Sequence, residues 1–185
     1  MVSRLVQQKG FDIFAGAINE LMSLNAQWII LGSGENKYES FIRRLPQYFT
    51  GKIGTYIGYN NELSHLIEAA ADIFVMPSRY EPCGLNQIYS LKYGTIPVVR
   101  KTGGLADTVK DWDEENQFGF DHGNGFSFYD YTSYALSSSV ERAVNTFKEK
   151  DIWKKIQLNG MVQDFSWKTS AEKYLELYKM AKEKR

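Results

Sequence analysis

Two periodicities alternate along this chain. Phe11, Phe14, Ala15, Ile18, Leu21 and Met22 recur at i, i+3, i+4 and i+7 spacing, which predicts one helix with a core-facing stripe. The run Gln27 to Leu31 is mostly apolar and stops at Gly32-Ser33-Gly34, the pattern of a buried strand. The same reading continues with a helix over 36–49, with Phe41, Leu45 and Phe49 inward, and a strand over 52–57. A helix over 61–71, a strand over 72–76, a helix over 84–93 and a strand over 95–100 follow. A short helix near Leu105 and an extended stretch over 125–128 precede helices over 131–149, 151–160 and 169–183. The last presents Ala171, Tyr174, Leu175 and Tyr178 on one face, with Thr169-x-x-Glu172 as a capping-box candidate.

Short, continuously apolar strands alternating with helices predict an α/β fold, a Rossmann-like doubly wound parallel sheet covered by helices on both faces. No internal repeat, linker or low-complexity stretch interrupts the pattern, so residues 1–185 read as one domain. In such a sheet, ligands bind beyond the carboxyl ends of the strands. The strand-to-helix junctions are therefore the places to look for chemistry.

Composition narrows the function classes. Lys plus Arg count 22 and Asp plus Glu count 22, so the net charge is zero and a general nucleic-acid partner is not expected. A local anion site remains compatible with that balance. The single cysteine, Cys83, cannot form an internal disulfide, and no apolar run approaches a membrane span. With no signal-peptide pattern at the start, the expected setting is reducing and cytoplasmic, with no membrane partner.

Four junctions carry unusual residues. Arg4 and Lys9 place two cations at the exit of a first strand and just before a helix, an arrangement suited to an anion or to plain solvation. Gly32-Ser33-Gly34 lacks the third glycine of a dinucleotide fingerprint and reads as a tight turn. The stretch from Pro77 to Gln87 is dense in backbone-restricting residues. There Glu81 can aim a carboxylate at a ligand hydroxyl, and Gly84 permits close approach to the next helix. Thr102-Gly103-Gly104-Leu105 opens a helix with backbone N–H groups that can hold phosphate oxygens.

Other candidates read as bland. His65 and His122 have no partners at metal-ligand spacing, and Asp111-Trp112-Asp113 runs into Glu114-Glu115 as a solvated acidic loop. No nucleophile elbow or P-loop is present, and nothing near Cys83 in the sequence marks it as an activated thiol.

The strings SRLVQQKGFD, EPCGLNQIYSLKYGTIPVVRKTGGLADTV, GNGFSF and FSW occur in that order and closely resemble the glycogen/starch synthase family. Members are retaining glycosyltransferases of GT-B architecture. The chain resembles the C-terminal, donor-binding domain of the bacterial members that use ADP-glucose. The resemblance implies transfer of glucose from ADP-glucose to the non-reducing end of an α-1,4-glucan, with no metal cofactor. By matching positions, Arg4 and Lys9 hold the donor diphosphate and Tyr59 stacks on adenine. Glu81, Cys83, Gly84 and Leu85 lie near the donor glucose, the cysteine through its backbone. Thr102, Gly103 and Gly104 lie near the phosphates. The broader Glu-x7-Glu pattern has Tyr89 at its second position here, a replacement common in the bacterial members. Retention without an enzyme nucleophile implies same-face attack assisted by the leaving phosphate.

The family's N-terminal acceptor domain has no counterpart in these residues, and the sequence opens inside the expected first strand. Enzymes lower barriers by roughly 8–23 kcal/mol, more than half a cleft is expected to supply. The expectation is a donor-binding domain that binds ADP or ADP-glucose and is inactive alone. A UDP-glucose-using starch synthase or other GT-B hexosyltransferase, and a non-catalytic nucleotide-binding module, are the alternatives.

Overall fold

A computed structural model describes residues 1–183. The chain opens with an extended segment that pairs with β1 (Trp28–Gly32) through two parallel bridges, Val2 with Leu31 and Leu5 with Gly34. A single 3-10 turn, Gln7–Lys9, leads into α1 (Phe11–Gly16) and α2 (Ile18–Ser23). The single helix expected over this stretch is thus broken at Ala17. Next to that break, Gly16 sits so close to Ser133 at the start of a later helix that a Cβ there would lie 2.3 Å from the hydroxyl.

The alternation then proceeds as the pattern predicts. After β1 come α3 (Asn36–Tyr48), β2 (Ile53–Ile57), α4 (Asn61–Ala70), β3 (Ile73–Met76), α5 (Asn86–Tyr93) and β4 (Ile96–Arg100). Next are α6 (Gly103–Thr108), α7 (Trp112–Gln117), β5 (Phe126–Phe128), α8 (Ser133–Thr146), α9 (Lys150–Met161) and α10 (Trp167–Glu183). All strand pairs are parallel, in two ladders: β1 with β2, and β3 with β4 with β5. Leu5, Phe11, Phe14, Ile30, Ile96, Val98, Phe126 and Leu136 are buried between sheet and helices. Such strands read as unbroken apolar runs because both faces are covered.

Two local expectations are corrected. The terminal helix starts at Trp167, and the Thr169 amide points back to Ser166 Oγ at 3.5 Å, so Thr169 lies inside the first turn and is not the cap. Its hydroxyl donates instead to Asp164 Oδ2 at 2.8 Å. No residue of α10 is buried, so its apolar stripe faces outward. The acidic stretch at 111–115 is not a solvated loop. Asp111 is buried, caps α7 through the amides of Asp113 and Glu114, and pairs with Arg142 Nη2 at 3.1 Å. Arg142 also takes Asp113. Spacing could not reveal this, because the partner arrives from α8 through tertiary packing.

Candidate functional site

Three segments meet at the carboxyl ends of the strands: the Gln7–Lys9 turn, the 77–85 loop after β3 and the start of α6 after β4. Gly10 lets the first two touch. Its φ of +81° lies in the left-handed region, and a Cβ there would stand 2.0 Å from Pro77 O. The Arg79 amide donates to Gln8 O at 2.8 Å, and Gln8 Nε2 donates to Tyr80 O at 3.3 Å. Backbone and amide contacts therefore lock the cation-bearing turn to the acid-bearing loop.

That docking joins Lys9 to Glu81. The Lys9 ammonium donates to Glu81 Oε2, and Ser78 Oγ donates to the same oxygen at 3.2 Å. Glu81 is buried, so its charge is compensated by an ion pair and a hydrogen bond, as a buried carboxylate requires. Arg4 is exposed, and its guanidinium reaches Gln8 Oε1 at 3.4 Å. Arg4, Lys9, Ser78, Glu81, Gly84 and Leu85 all line one cavity of about 320 Å³.

A larger cavity of about 930 Å³ lies elsewhere, between Trp28, Ile53 and Ile73 at the amino ends of the strands. It holds none of the residues nominated from the sequence. The smaller cavity sits where parallel sheets present ligands, and it holds the convergent charges.

Cys83, Thr102, Gly103, Gly104 and Tyr59 are not among the residues that line that cavity. Gly84 has φ +74° and could not carry a side chain without meeting Gln87 Oε1 at 2.5 Å. Gly103 and Gly104 sit under the 81–83 loop, where added Cβ atoms would lie 2.2 Å from Glu81 O and 2.1 Å from Cys83 O. The Gly104 amide donates to Glu81 O at 3.0 Å. This N–H is therefore spent on the loop, and the glycine pair lets the loop pack onto α6. Thr102 occupies the α6 N-cap without a side-chain cap bond. Cys83 is exposed, and its carbonyl accepts Gln87 Nε2 at 3.0 Å. Tyr59 is 84% exposed just ahead of α4, outside the cavity lining. Asn60 beside it caps that helix by accepting the Leu63 amide at 2.9 Å, which fixes the approach of the Tyr59 backbone.

Two supporting residues were not assigned roles from the sequence. Ser78 is buried against the Glu81 carboxylate. Gln87 is fully buried, and its Nε2 fastens Cys83 O, Gly84 O and Thr108 Oγ1. Its position four residues after Cys83, at the start of a helix, was the available signal. The Gly32-Ser33-Gly34 turn is structural, as its spelling suggested. The Glu35 amide donates to Leu5 O at 2.8 Å, and the Gly34 amide donates to Glu39 Oε1 at 2.8 Å.

Comparisons with known proteins find relatives along nearly the whole chain. The glycogen synthase of Koribacter versatilis is 45% identical over 185 residues, covering 100% of this chain and 37% of that protein. The glycogen synthase of Alkalilimnicola ehrlichii is 48% identical over 178 residues, covering 96% of this chain and 36% of its own length. The chain thus spans little more than a third of these relatives. The catalytic domain of starch synthase IV from Arabidopsis thaliana, solved with ADP and acarbose, superposes with a TM-score of 0.83 at 37% identity. That superposition covers 97% of this chain and 37% of the plant one. The α/β architecture is that of one half of a GT-B enzyme. With the family model for "Glycosyl transferases group 1" matching residues 1–159, the chain belongs to that family of glycosyltransferases.

Proposed function

We propose that this chain is the donor-binding part of a glycogen synthase, holding ADP-glucose while its glucosyl group passes, with retention, to the non-reducing end of an α-1,4-glucan. The observation that carries the reading is the convergence of Arg4, Lys9 and Glu81 on one cavity. It occurs in a chain 45–48% identical to glycogen synthases. Acceptor binding is assigned to the portion of such proteins that this chain does not match.

Cleavage of the glucosyl–phosphate bond builds negative charge on the departing diphosphate. Cations aimed at that position stabilise the transition state more than the ground state. Arg4 is exposed and free to swing onto a phosphate, whereas Lys9 is prepositioned by Glu81. Charge-assisted hydrogen bonds of this kind contribute roughly 1.5–3 kcal/mol each. In this reading the side-chain cations meet the diphosphate charge and no metal has a part. Glu81, with Lys9 and Ser78 both on one oxygen, is poorly suited to be a nucleophile and well suited to hold a sugar hydroxyl. Same-face attack assisted by the leaving phosphate fits that division of labour. Tyr59 offers its open ring to the adenine.

Calorimetric titration with ADP-glucose and UDP-glucose tests the reading. Measurable binding that prefers the adenine nucleotide and is unchanged by a chelator is expected. Binding of neither donor overturns the assignment, and loss of binding in chelator overturns the metal-free part.

A further inference from the structure

Tyr131 lies in the short link between β5 and α8, in none of the motifs singled out from the sequence. Two guanidinium groups lie against its ring, with Arg79 Cζ 5.6 Å and Arg100 Cζ 5.5 Å from the ring centroid. The ring quadrupole attracts each guanidinium. The Tyr131 hydroxyl donates to Asp12 Oδ1 and lies 3.3 Å from Gln7 O. Arg100 Nη1, in turn, donates to Arg79 O at 2.6 Å.

These contacts fall on three strand exits at once. Gln7 belongs to the turn that carries Lys9, and Asp12 to the helix that follows it. Arg79 belongs to the loop that carries Glu81, and Arg100 ends β4. Burial, then the Asp12 carboxylate, push the Tyr131 phenol above the usual tyrosine range, so it stays protonated and able to donate. The Arg79 amide already bonds Gln8 O, and the Tyr131 contacts flank that single backbone bond on both sides.

We propose that Tyr131 is a positioning residue for the donor site, its hydroxyl tying the Lys9 turn and its ring tying the Glu81 loop so that ammonium and carboxylate meet in one geometry. It rests on the donor-binding reading above, in that the consequence is for the diphosphate. The Tyr131 hydroxyl bonds to neither Lys9 nor Glu81, and nothing in the family match assigns it a role.

The test is Tyr131→Phe, which keeps the ring against the arginines and removes only the hydroxyl. ADP binding is expected to weaken about tenfold, because small displacements of a charge-bearing group cost that much or more. Adenosine, which has no diphosphate for Lys9 to meet, should bind as to the unaltered chain in an NMR titration. Amide hydrogen exchange gives a readout independent of any nucleotide. The Lys9 and Arg79 amides should exchange about tenfold faster, while those of Val98 and Val99 in β4 keep their protection. Asp12→Ala, which removes the acceptor, should reproduce both effects and serves if the first variant does not fold. Unchanged exchange at Lys9 and Arg79, or equal losses for ADP and adenosine, overturns the proposal. Failure of the unaltered chain to bind ADP overturns the donor reading instead, and the exchange comparison still decides the role of Tyr131.

Discussion

Lys9 and Glu81, 72 positions apart in the chain, form an ion pair on the wall of the candidate site. Their side chains are 18% and 8% exposed, so each needs the other to remain charged at low cost. Cation and acid are therefore one unit before any donor arrives, and the diphosphate would find an ammonium already in place.

Breaking that unit from either side should give unequal results. Lys9→Ala strands a buried carboxylate and should cost about 3 kcal/mol in urea unfolding, besides abolishing measurable ADP binding. Glu81→Gln leaves a neutral amide that Ser78 and Lys9 can still approach, and should cost clearly less. Arg4→Ala, at an exposed position, should leave the unfolding midpoint unchanged while weakening ADP by roughly tenfold. Equal stability losses for all three would show that the pair is not coupled.

Tyr59 separates affinity from stability. Its ring is almost fully solvent-exposed, so Tyr59→Ala should not move the thermal midpoint. If it stacks on adenine, the loss in ADP affinity should be about 1–3 kcal/mol, with Tyr59→Phe close to the unaltered chain. Calorimetry on both variants, with adenosine as the comparison ligand, checks this.

Asp111 should make the fold acid-sensitive. Burial raises its carboxyl, but the Arg142 contacts and the Ser127 and Glu114 amides outweigh that and hold it below the ordinary value of 3.8. A depressed folded-state value contributes stability that is fully present above the unfolded value and is lost as pH falls through the folded one. Asp111→Asn should therefore cost about 3 kcal/mol at pH 7 and have a shrinking effect below pH 4. Urea unfolding of both proteins across that range measures it.

Glu68 has the opposite sign. It is buried, its Oε2 has no hydrogen-bond partner, and burial pushes its pKa up to about 7. The folded chain thus holds a proton that the unfolded chain releases near 4.5. Stability from this group is present below the unfolded value and lost as pH rises towards 7. Glu68→Gln should stabilise at pH 8 by up to about 3 kcal/mol and by almost nothing at pH 4.5. No gain at pH 8 would show that the carboxylate finds water in solution.

The architecture was legible because it rests on period. Continuous apolar strands such as Ile96 to Val99 mark parallel, doubly covered positions, and the helical stripes between them set the alternation. The break at Ala17 was not legible. It falls beside Gly16, whose close approach to Ser133 joins elements over a hundred positions apart.

For the site, the strand-exit junctions singled out Arg4, Lys9, Glu81 and Gly84, the family resemblance added Leu85, and folding brings all five to one cavity. Residue type and strand-exit position suffice for that, because parallel strands deliver their carboxyl ends to one edge. Who pairs with whom did not follow. The Lys9–Glu81 bond, the Asp111–Arg142 bond, the use of Gly103 and Gly104 as packing space and the Tyr131 contacts are products of distance closed by the tertiary fold. Charge and apolarity along a chain say which groups must be satisfied or buried, whereas only the packed structure decides which partner is near enough to satisfy them.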